Sequence, residues 1–415
     1  MPSIARALRH RNFRLFISGQ IFALIGYWMQ NVAQGWFLYR VTGSATLLGL
    51  LGFAASLPVL LIAPFAGLWS DRWNRHRAMF TVQVLEMAQA VVLATLALLH
   101  VLAPWHLIVL AMTLGVLIAV ELPLRHAYLL ELVGDRQDLP NAIAVTSLMA
   151  NCGRLVGPAL AGLTIHALGE SACFLANALT FVAVIVSFLR IRVMPQARAG
   201  AHPPVWKGLR EGIAYAWRFP PIRLLLLLLM AMALLAAPYS NLMPALVRSV
   251  FHGSADEMGY FMAASGLGGV IGTVYLAARP TVRGLLGVLA ASSFATGSAL
   301  ALLTWSHTAW LALPLLAVIG FGMLVTSVSV NMILQTIVED DKRGRVMSLY
   351  TACFLGVVPF GNLAAGALAD AIGIATTLTA GGIGCAAAAL YIARERTRLS
   401  ALVQPIYARL GIEER

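Results

Sequence analysis

Charged side chains are scarce in this sequence. Only 11% of its 415 residues are Asp, Glu, Lys or Arg, whereas soluble domains carry about 25%. Apolar residues make up 60% of the chain, the mean hydropathy is +0.82, and one bilayer span needs about 20 apolar residues. This composition excludes a disordered, collagen-like or water-soluble protein and predicts an all-α polytopic membrane protein.

Cysteine is also rare. The four cysteines lie inside apolar runs without a CxxC spacing: Cys152, Cys173, Cys353 and Cys385. They are typical of small core residues, and they argue against a disulfide scaffold or a metal site. We therefore expect neither metal nor cofactor.

Lysine occurs only at Lys207 and Lys342, and neither follows the GxxxxGK[ST] pattern of an ATP-binding loop. HExxH and G-x-S-x-G motifs are absent too. An enzyme is thus disfavoured, and transport would have to draw on an ion gradient or on the gradient of the substrate itself.

The net charge of +12 comes from 29 basic and 17 acidic residues. The basic residues sit in short loops between apolar runs, which argues for membrane orientation rather than nucleic-acid binding. With a cytoplasmic N-terminus, 25 of the 29 fall on the inner side and only Arg40 and Arg248 on the outer side. The positive-inside rule predicts a multi-pass inner-membrane protein with both termini cytoplasmic. The first apolar run is expected to be a retained span.

The apolar runs predict twelve transmembrane helices, numbered here in chain order. They are placed at 13–40, 45–69, 77–99, 106–130, 141–166, 170–190, 220–247, 256–278, 284–304, 308–335, 346–370 and 374–393. A polar stretch rich in Pro and Arg separates two sets of six. We expect an N-terminal bundle (1–191), a cytoplasmic linker (192–218) and a C-terminal bundle with a short basic tail (219–415).

The two halves share sequence patterns. Ser44-Ala45-x-x-x-Gly49 before helix 2 recurs as Ser254-Ala255-x-x-x-Gly259 before helix 8, and Val145-x-Ser147-Leu148 in helix 5 recurs as Val346-x-Ser348-Leu349 in helix 11. Both pairs fall at corresponding helices. They predict two six-helix pseudo-repeats around a central cavity, an arrangement that frames a substrate site in transporters.

A charged loop joins helices 2 and 3. Its notable residues are Gly67, Asp71, Arg72, Arg75 and Arg77. Asp71 can accept hydrogen bonds at the start of helix 3 and attract the arginines, so the cluster is a candidate inner gate. The alternative is that the arginines only fix topology. A similar Gly366-x-x-x-Asp370 lies at the outer end of helix 11 and is not counted as a gate.

This loop resembles the signature between helices 2 and 3 of the major facilitator superfamily, and the twelve-span plan covers the whole chain. Helix 5 is similar to the antiporter motif of exporting members, at Gly153, Gly157, Pro158 and Gly162, with Ala161 where that motif prefers glycine. The alternative for these residues is a packing face with a proline kink.

Further segments resemble the branch of macrolide-efflux and enterobactin-exporter proteins. They are Asn12-Phe13-Arg14-Leu15-Phe16, Trp28-Met29-Gln30, Gln34-Gly35-Trp36, Pro123-x-Arg125 and Glu131-Leu132-Val133. The resemblance implies export of an amphiphilic drug or a siderophore. It also implies that helices 1, 4, 7 and 10 line the central cavity.

Ionisable residues inside predicted helices are candidates for proton coupling, because a charge at membrane depth is costly. They are Glu86, Glu121, Arg125 and Arg154. Glu121 and Arg125 are four residues apart and can form an ion pair. The alternative is a static bridge that only stabilises packing. Helix 1 lacks the acidic residue that the family often uses for this task.

Two polar stripes are candidates for the substrate cavity. At 100° per residue, the polar residues of helix 1 fall within about 60° of one another: Gln20, Tyr27, Asn31 and Gln34. Helix 10 offers Ser327, Asn331 and Gln335 at spacings of four. The alternative is hydrogen bonding between helices without substrate contact.

The sequence therefore predicts a monomeric secondary transporter that exports small amphiphilic molecules by alternating access in exchange for protons. One alternative is a lipid or lysolipid flippase or an uptake carrier of the same fold. Another is a non-transporting membrane receptor or scaffold, which would not need intramembrane charges.

Overall fold

The computed structural model describes residues 6–410 except 71–72, 136, 193–212, 280 and 307, and these residues form helices and loops without β-strands. The first six helices are α1 (Arg11–Thr42), α2 (Ala45–Ser70), α3 (Arg75–Leu98), α4 (Pro104–Val133), α5 (Leu139–Leu168) and α6 (Glu170–Arg190). The later ones are α7 (Pro220–Ala231), α8 (Met243–Ser249), α9 (Ala255–Ala277), α10 (Leu285–Leu303), α11 (Ala309–Ile337), α12 (Asp340–Leu355), α13 (Val358–Ile372) and α14 (Ile374–Arg409).

Eleven helices in the described part of the chain are long and apolar enough to cross a membrane. The prediction of a polytopic all-α protein is confirmed, although the count of twelve is not exact. The predicted first span is a continuous helix, α1, of 32 residues. Its buried polar residues Gln20, Gln30 and Gln34 lower its hydropathy, because a helix that buries amides against other helices needs fewer apolar side chains.

Three predicted helices differ from those observed. Helix 7 is not continuous: a π-helical turn (Met232–Ala236) and a 3-10 turn (Ala237–Ser240) separate α7 from α8. Pro238 explains the break, because proline removes a backbone donor and clashes with the preceding turn. Helix 11 is divided into α12 and α13 just before Pro359. Helix 12 is longer than expected, since α14 continues to Arg409.

The chain forms two compact units. The first comprises Met1–Gly43, Leu50–His202 and Gly253–Ala263, and the second comprises Ser44–Gly49, Pro203–His252 and Ala264–Arg415. Two helices are therefore shared between units. The first residues of α2 group with the second unit, and the first residues of α9 group with the first unit.

In the first unit, α1 packs along α5 and α6, while α3 packs along α4 and α6. Glycines permit these close approaches: a Cβ at Gly26 would lie 2.6 Å from Asn177 Oδ1 of α6. One end of the unit is filled by aromatic rings. Tyr128 stacks on Phe188 with ring centroids 5.9 Å apart, and Phe16 meets both rings edge-on. This buried core fixes the helices that carry the polar residues described below.

In the second unit, α10 packs against α11 and α14. Small residues again bring the backbones together, since a Cβ at Gly297 would lie 2.5 Å from Gly382 O of α14. Tyr239, just after the π-helical turn, forms a hydrogen bond with Ser265 of α9. Buried hydroxyl groups bond one another inside this unit, and Ser293 and Thr326 are 2.9 Å apart.

Two glycine pairs mark the shared helices. In the second unit, a Cβ at Gly366 of α13 would lie 2.9 Å from Gly49 Cα of α2. In the first unit, a Cβ at Gly162 of α5 would lie 2.9 Å from Gly259 Cα of α9. The repeated Ser-Ala-x-x-x-Gly pattern thus places its glycine in the same kind of helix crossing twice.

Candidate functional site

A cavity of about 200 Å³ lies within the first unit, among α1, α3, α4 and α6. Its polar lining is concentrated on α1, α3 and α4, and Leu114, Ile118 and Phe181 supply apolar wall. The polar lining residues are Gln20, Tyr27, Gln83, Glu86, Gln89, Glu121, Arg125 and Asn177. The cavity therefore gathers several of the polar and ionisable residues that the sequence placed on separate helices.

Two carboxylates meet at one amide in this cavity. Gln83 Nε2 donates to Glu86 Oε2 at 2.9 Å and to Glu121 Oε1 at 3.0 Å. Arg125 donates to the same Glu121 oxygen at 2.5 Å, forming the expected i,i+4 ion pair. Glu86 and Glu121 are 5% and 3% exposed. The cluster thus holds two buried carboxyl groups and one guanidinium in hydrogen-bond contact.

The second oxygen of Glu86 has no hydrogen-bond partner among the described residues. A buried polar atom without a partner costs about 1–3 kcal/mol, so such an atom at a cavity wall is open to a proton, a water molecule or a ligand. Glu86 is the carboxyl group of this cluster that is free to exchange partners.

A chain of amides extends from this cluster. Gln20 donates to Gln83 at 3.1 Å, and Asn177 donates to Gln30 at 2.7 Å. Gln30 in turn lies 3.5 Å from Gln89. The amides join α1, α3 and α6 through groups that can accept and donate, and all of them except Gln30 line the cavity.

The four polar residues of the predicted stripe on α1 separate in the structure. Gln20 and Tyr27 line the cavity, whereas Asn31 and Gln34 are not among its lining residues. Gln34 is buried, and its amide nitrogen has no partner in the described part of the chain. The sequence analysis did not name Asn177, and it named Gln30 only in a segment that resembles other exporters, not as a site residue. A polar residue in the middle of an apolar helix 6 is the signal that could have found Asn177.

Arg154 lies apart from the carboxylates. Its guanidinium carbon lies over the ring of Trp28, 5.4 Å from the centroid, and its side chain is exposed. No carboxylate pairs with it among the described residues. The structure therefore separates Arg154 from Glu86, Glu121 and Arg125, with which the sequence analysis grouped it as a candidate for proton coupling.

The antiporter-like glycines have two different neighbours. Gly153 and Gly157 face α1, where a Cβ on Gly157 would clash with Trp28. Gly162 faces the start of α9, and the carbonyl of Pro158 approaches Gly259 there. Each glycine thus permits a close helix contact, which agrees with the packing alternative and leaves an antiport role as a proposal.

The candidate gate is described only in part. Asp71 and Arg72 lie outside the described residues, as does the surrounding of Gly67. Arg75 donates to Glu131 of α4 at 2.9 Å, and Arg77 is exposed. The cap of α3 is Asn74, whose side chain accepts from the N–H of Arg77 at 3.0 Å. Asn is a favoured residue at this position, so this cap could have been predicted.

The stripe of the predicted helix 10 lies on α11, in the second unit. Asn331 accepts a hydrogen bond from Gln335 at 2.6 Å, and the hydroxyl of Ser327 donates to the carbonyl of Leu324. Each of these side chains therefore makes a hydrogen bond within its own helix, and the hydroxyl of Tyr350 in α12 donates to the carbonyl of Ser327 at 3.1 Å. Their role as substrate ligands remains a proposal.

This chain is similar to known transport proteins in sequence and in fold. The chain is 27% identical over 393 residues to the staphyloferrin A transporter of Staphylococcus aureus, covering 93% of this chain and 97% of that protein. It is 27% identical to the multidrug efflux pump Tap of Mycolicibacterium fortuitum, covering 84% and 87%. Among solved structures, the nucleoside transporter NupG superposes with a TM-score of 0.73 at 13% identity, covering 95% and 99%, which shows a shared fold.

Residues 3–404 match the family described as transmembrane secretion effector. The resemblance seen in the sequence is thereby confirmed, and so is the expectation that the protein is not an enzyme. The chain is a multi-pass membrane transporter of small molecules, and it belongs to the transmembrane secretion effector family within the major facilitator superfamily.

Proposed function

We propose that this protein exports small amphiphilic molecules, siderophores or drug-like compounds, across the inner membrane by alternating access in exchange for protons. The observation that carries the proposal is the cluster of Glu86, Gln83, Glu121 and Arg125 at the wall of a cavity within the membrane-spanning helices.

The charges of this cluster support proton exchange. Arg125 can neutralise Glu121, but Glu86 has only an amide for a partner. An isolated carboxylate is very costly away from water. Glu86 is therefore suited to take up a proton when the cavity is closed to water and to release it when water enters. Gln83 connects the two carboxyl groups, so the charge of Glu86 would be felt at the Glu121–Arg125 pair.

The cavity wall supports an amphiphilic substrate. Leucine, isoleucine and phenylalanine side chains lie beside the amides, and sites of this kind bury the apolar part of a ligand while a few polar groups orient it. Of the relatives named above, one is a staphyloferrin A transporter and the other a multidrug efflux pump. We extend efflux, and substrates of these two kinds, to the present chain as part of the proposal.

Orientation and gating complete the proposal. By the positive-inside rule the basic loops favour a cytoplasmic location for both termini, and this orientation would put the connection between α2 and α3 on the inner face. In this arrangement Asp71 closes the inner face when the cavity opens outward, and Arg75 holds the start of α3 against Glu131. The transporter would act as a monomer.

Proteoliposomes containing the full chain and a pH-sensitive dye test the proposal. Addition of a transported substrate should produce proton flux in the direction opposite to substrate movement. Glu86→Gln and Glu121→Gln should abolish coupled flux, and Asp71→Asn should abolish export, with the protein still inserted in the membrane. Glu395→Gln, which changes a carboxylate in the second half of α14 that pairs with Arg398 at 3.5 Å, is the matched control and should transport like the wild type.

Two results would contradict the proposal. One is unchanged proton-coupled export by the Glu86 and Glu121 variants. The other is substrate-dependent proton flux in the same direction as the substrate, which would identify an uptake or symport carrier.

A further inference from the structure

Arg154 is the intramembrane cation that the proposed proton exchange does not use. It lies in the middle of α5, about 22 Å along the helix axis from either end at roughly 1.5 Å per residue. Its side chain is exposed and has no carboxylate partner among the described residues. A cation at this depth that faced only lipid would cost several kcal/mol. The guanidinium of Arg154 therefore needs polar or aromatic groups around it.

The guanidinium of Arg154 lies over the face of the Trp28 ring, with its carbon 5.4 Å from the ring centroid. The contact is with a ring face and not with a hydrogen-bond acceptor, so it leaves N–H donors of the guanidinium available. Gly153 and Gly157 on either side of Arg154 let α1 approach closely, with Leu24 and Trp28 filling the space. The position of Arg154 relative to Trp28 is therefore fixed by the backbone crossing.

The same pair connects to the cavity. Trp28 meets the ring of Tyr27 edge-on at 5.7 Å, and Tyr27 lines the cavity that contains Glu86 and Glu121. An aromatic surface thus runs from the carboxylate cluster to an unpaired guanidinium.

We infer that Arg154 and Trp28 form an anion subsite that selects amphiphiles carrying a carboxylate or a similar acidic group. The guanidinium offers paired N–H donors that match a carboxylate, and the half-buried rings of Trp28 and Tyr27 would contact the apolar part next to it. This inference rests on the proposed function, since it names the chemical class of the exported molecule.

Binding to the purified full-length protein tests the inference without transport. The probes are 2-naphthoate and 2-naphthamide, which share one ring system and differ in the carboxylate. By isothermal titration the wild type should bind 2-naphthoate at least tenfold more tightly than the amide. Arg154→Gln should remove this preference by weakening 2-naphthoate alone, whereas Arg190→Gln, at the end of α6, should keep it.

Two conservative variants guard against misfolding. Arg154→Lys keeps the charge but loses the paired donors, and it should show a reduced preference. Trp28→Phe keeps an aromatic ring at this position and should retain most of the preference for 2-naphthoate. Equal affinity of the wild type for both probes, no measurable binding of 2-naphthoate, or a preference that survives Arg154→Gln would overturn the inference.

These failures differ from failure of the proposed function. If the subsite is wrong but export is right, neutral or cationic substrates still drive proton flux, and Arg154→Gln leaves it unchanged. If export is wrong, no probe drives proton flux, while the preference for 2-naphthoate is still measurable in detergent.

Discussion

The backbone N–H of Ala45 donates to the carboxylate of Asp370 at 2.8 Å, 325 positions further along the chain. The other carboxylate oxygen accepts from the N–H of Thr46 and from the hydroxyl of Ser44, at 2.8 and 2.7 Å. Asp370 therefore caps α2 from another helix, where a negative charge also complements the helix dipole. The Gly366-x-x-x-Asp370 motif, which the sequence analysis discounted, has this structural task.

Loss of this cap should weaken the second unit. Asp370→Ala is expected to lower the free energy of unfolding by about 0.5–2 kcal/mol, the usual cost of removing a helix N-cap. Asp370→Asn should be milder, because its one carbonyl oxygen can still accept. Thermal unfolding in detergent measures the change. Thr95→Ala, on an exposed turn of α3, should stay close to the wild type, and an equal loss in both variants would contradict the capping role.

Two neighbouring glycines of α9 provide a matched packing test. A Cβ at Gly268 would clash with the carbonyl of Ala317 in α11, whereas at Gly269 the nearest atom would be 3.9 Å away. Gly268→Ala should therefore destabilise the protein by more than 1 kcal/mol, as overpacking typically costs about 1–3 kcal/mol. Gly269→Ala should be neutral or slightly stabilising because alanine favours helix. Unfolding temperatures of the two variants decide the matter, and a loss of similar size in both would refute the predicted crossing.

The Glu121–Arg125 pair should be strongly coupled. Arg125→Met leaves a buried carboxylate without its cation, and removal of one partner from a buried pair costs about 3–5 kcal/mol. The double variant Glu121→Gln/Arg125→Met should be more stable than Arg125→Met alone. A double-mutant cycle on thermal unfolding measures this interaction. Additive effects would mean that the two side chains act independently.

A cluster at the start of α5 should give a pH-dependent stability. Asp138 accepts hydrogen bonds from His10 at 2.9 Å and from Arg6 at 2.7 Å. The hydrogen bond from His10, with a smaller contribution from Arg6, lowers the pKa of Asp138 below its ordinary value of 3.8, against the opposing effect of burial. A carboxyl group with a lowered pKa stabilises the fold above its ordinary pKa, and this contribution is lost as the pH falls through the lowered value.

Asp138→Asn should therefore lower the unfolding temperature by a constant amount near neutral pH. The difference from the wild type should shrink as the pH falls below about 4. Asp135→Asn is the control. In the described structure the carboxylate of Asp135 accepts a hydrogen bond from the backbone N–H of Gln137, two residues away, whereas Asp138 bonds residues from the start of the chain. A difference that grows on acidification would contradict the assigned direction.

The fold was predictable from the sequence because each feature behind it is local. Apolar runs determine the spans, and four-residue spacing placed Glu121 next to Arg125. The same helical period placed Gln20 and Tyr27 on one side of α1, and both line the cavity.

The remainder of the site depends on contacts that are distant in sequence. Gln30 lies about 80° from Gln20 around a helix of 100° per residue, so the period alone separates it from the stripe. Gln30 is nevertheless linked to the cavity, because Asn177 of α6, which lines it, donates a hydrogen bond to Gln30. Likewise, Arg154 and Glu86 are both ionisable residues in the middle of apolar helices, so the sequence gives them equal standing. Only the packing of α5 on α1 shows that a tryptophan, not a carboxylate, faces the arginine.

The π-helical turn at Met232–Ala236 also bears on how this chain is aligned with other proteins. A π turn contains one residue more than an α turn, and the 3-10 turn that follows it at Ala237–Ser240 is wound more tightly than an α turn. Within 232–240 the side chains therefore leave the places that an uninterrupted helix would give them, and Tyr239, in this segment, forms its hydrogen bond with Ser265. A relative with a regular α-helix here should be compared with this chain on either side of 232–240, because inside that segment the same alignment column would face different neighbours.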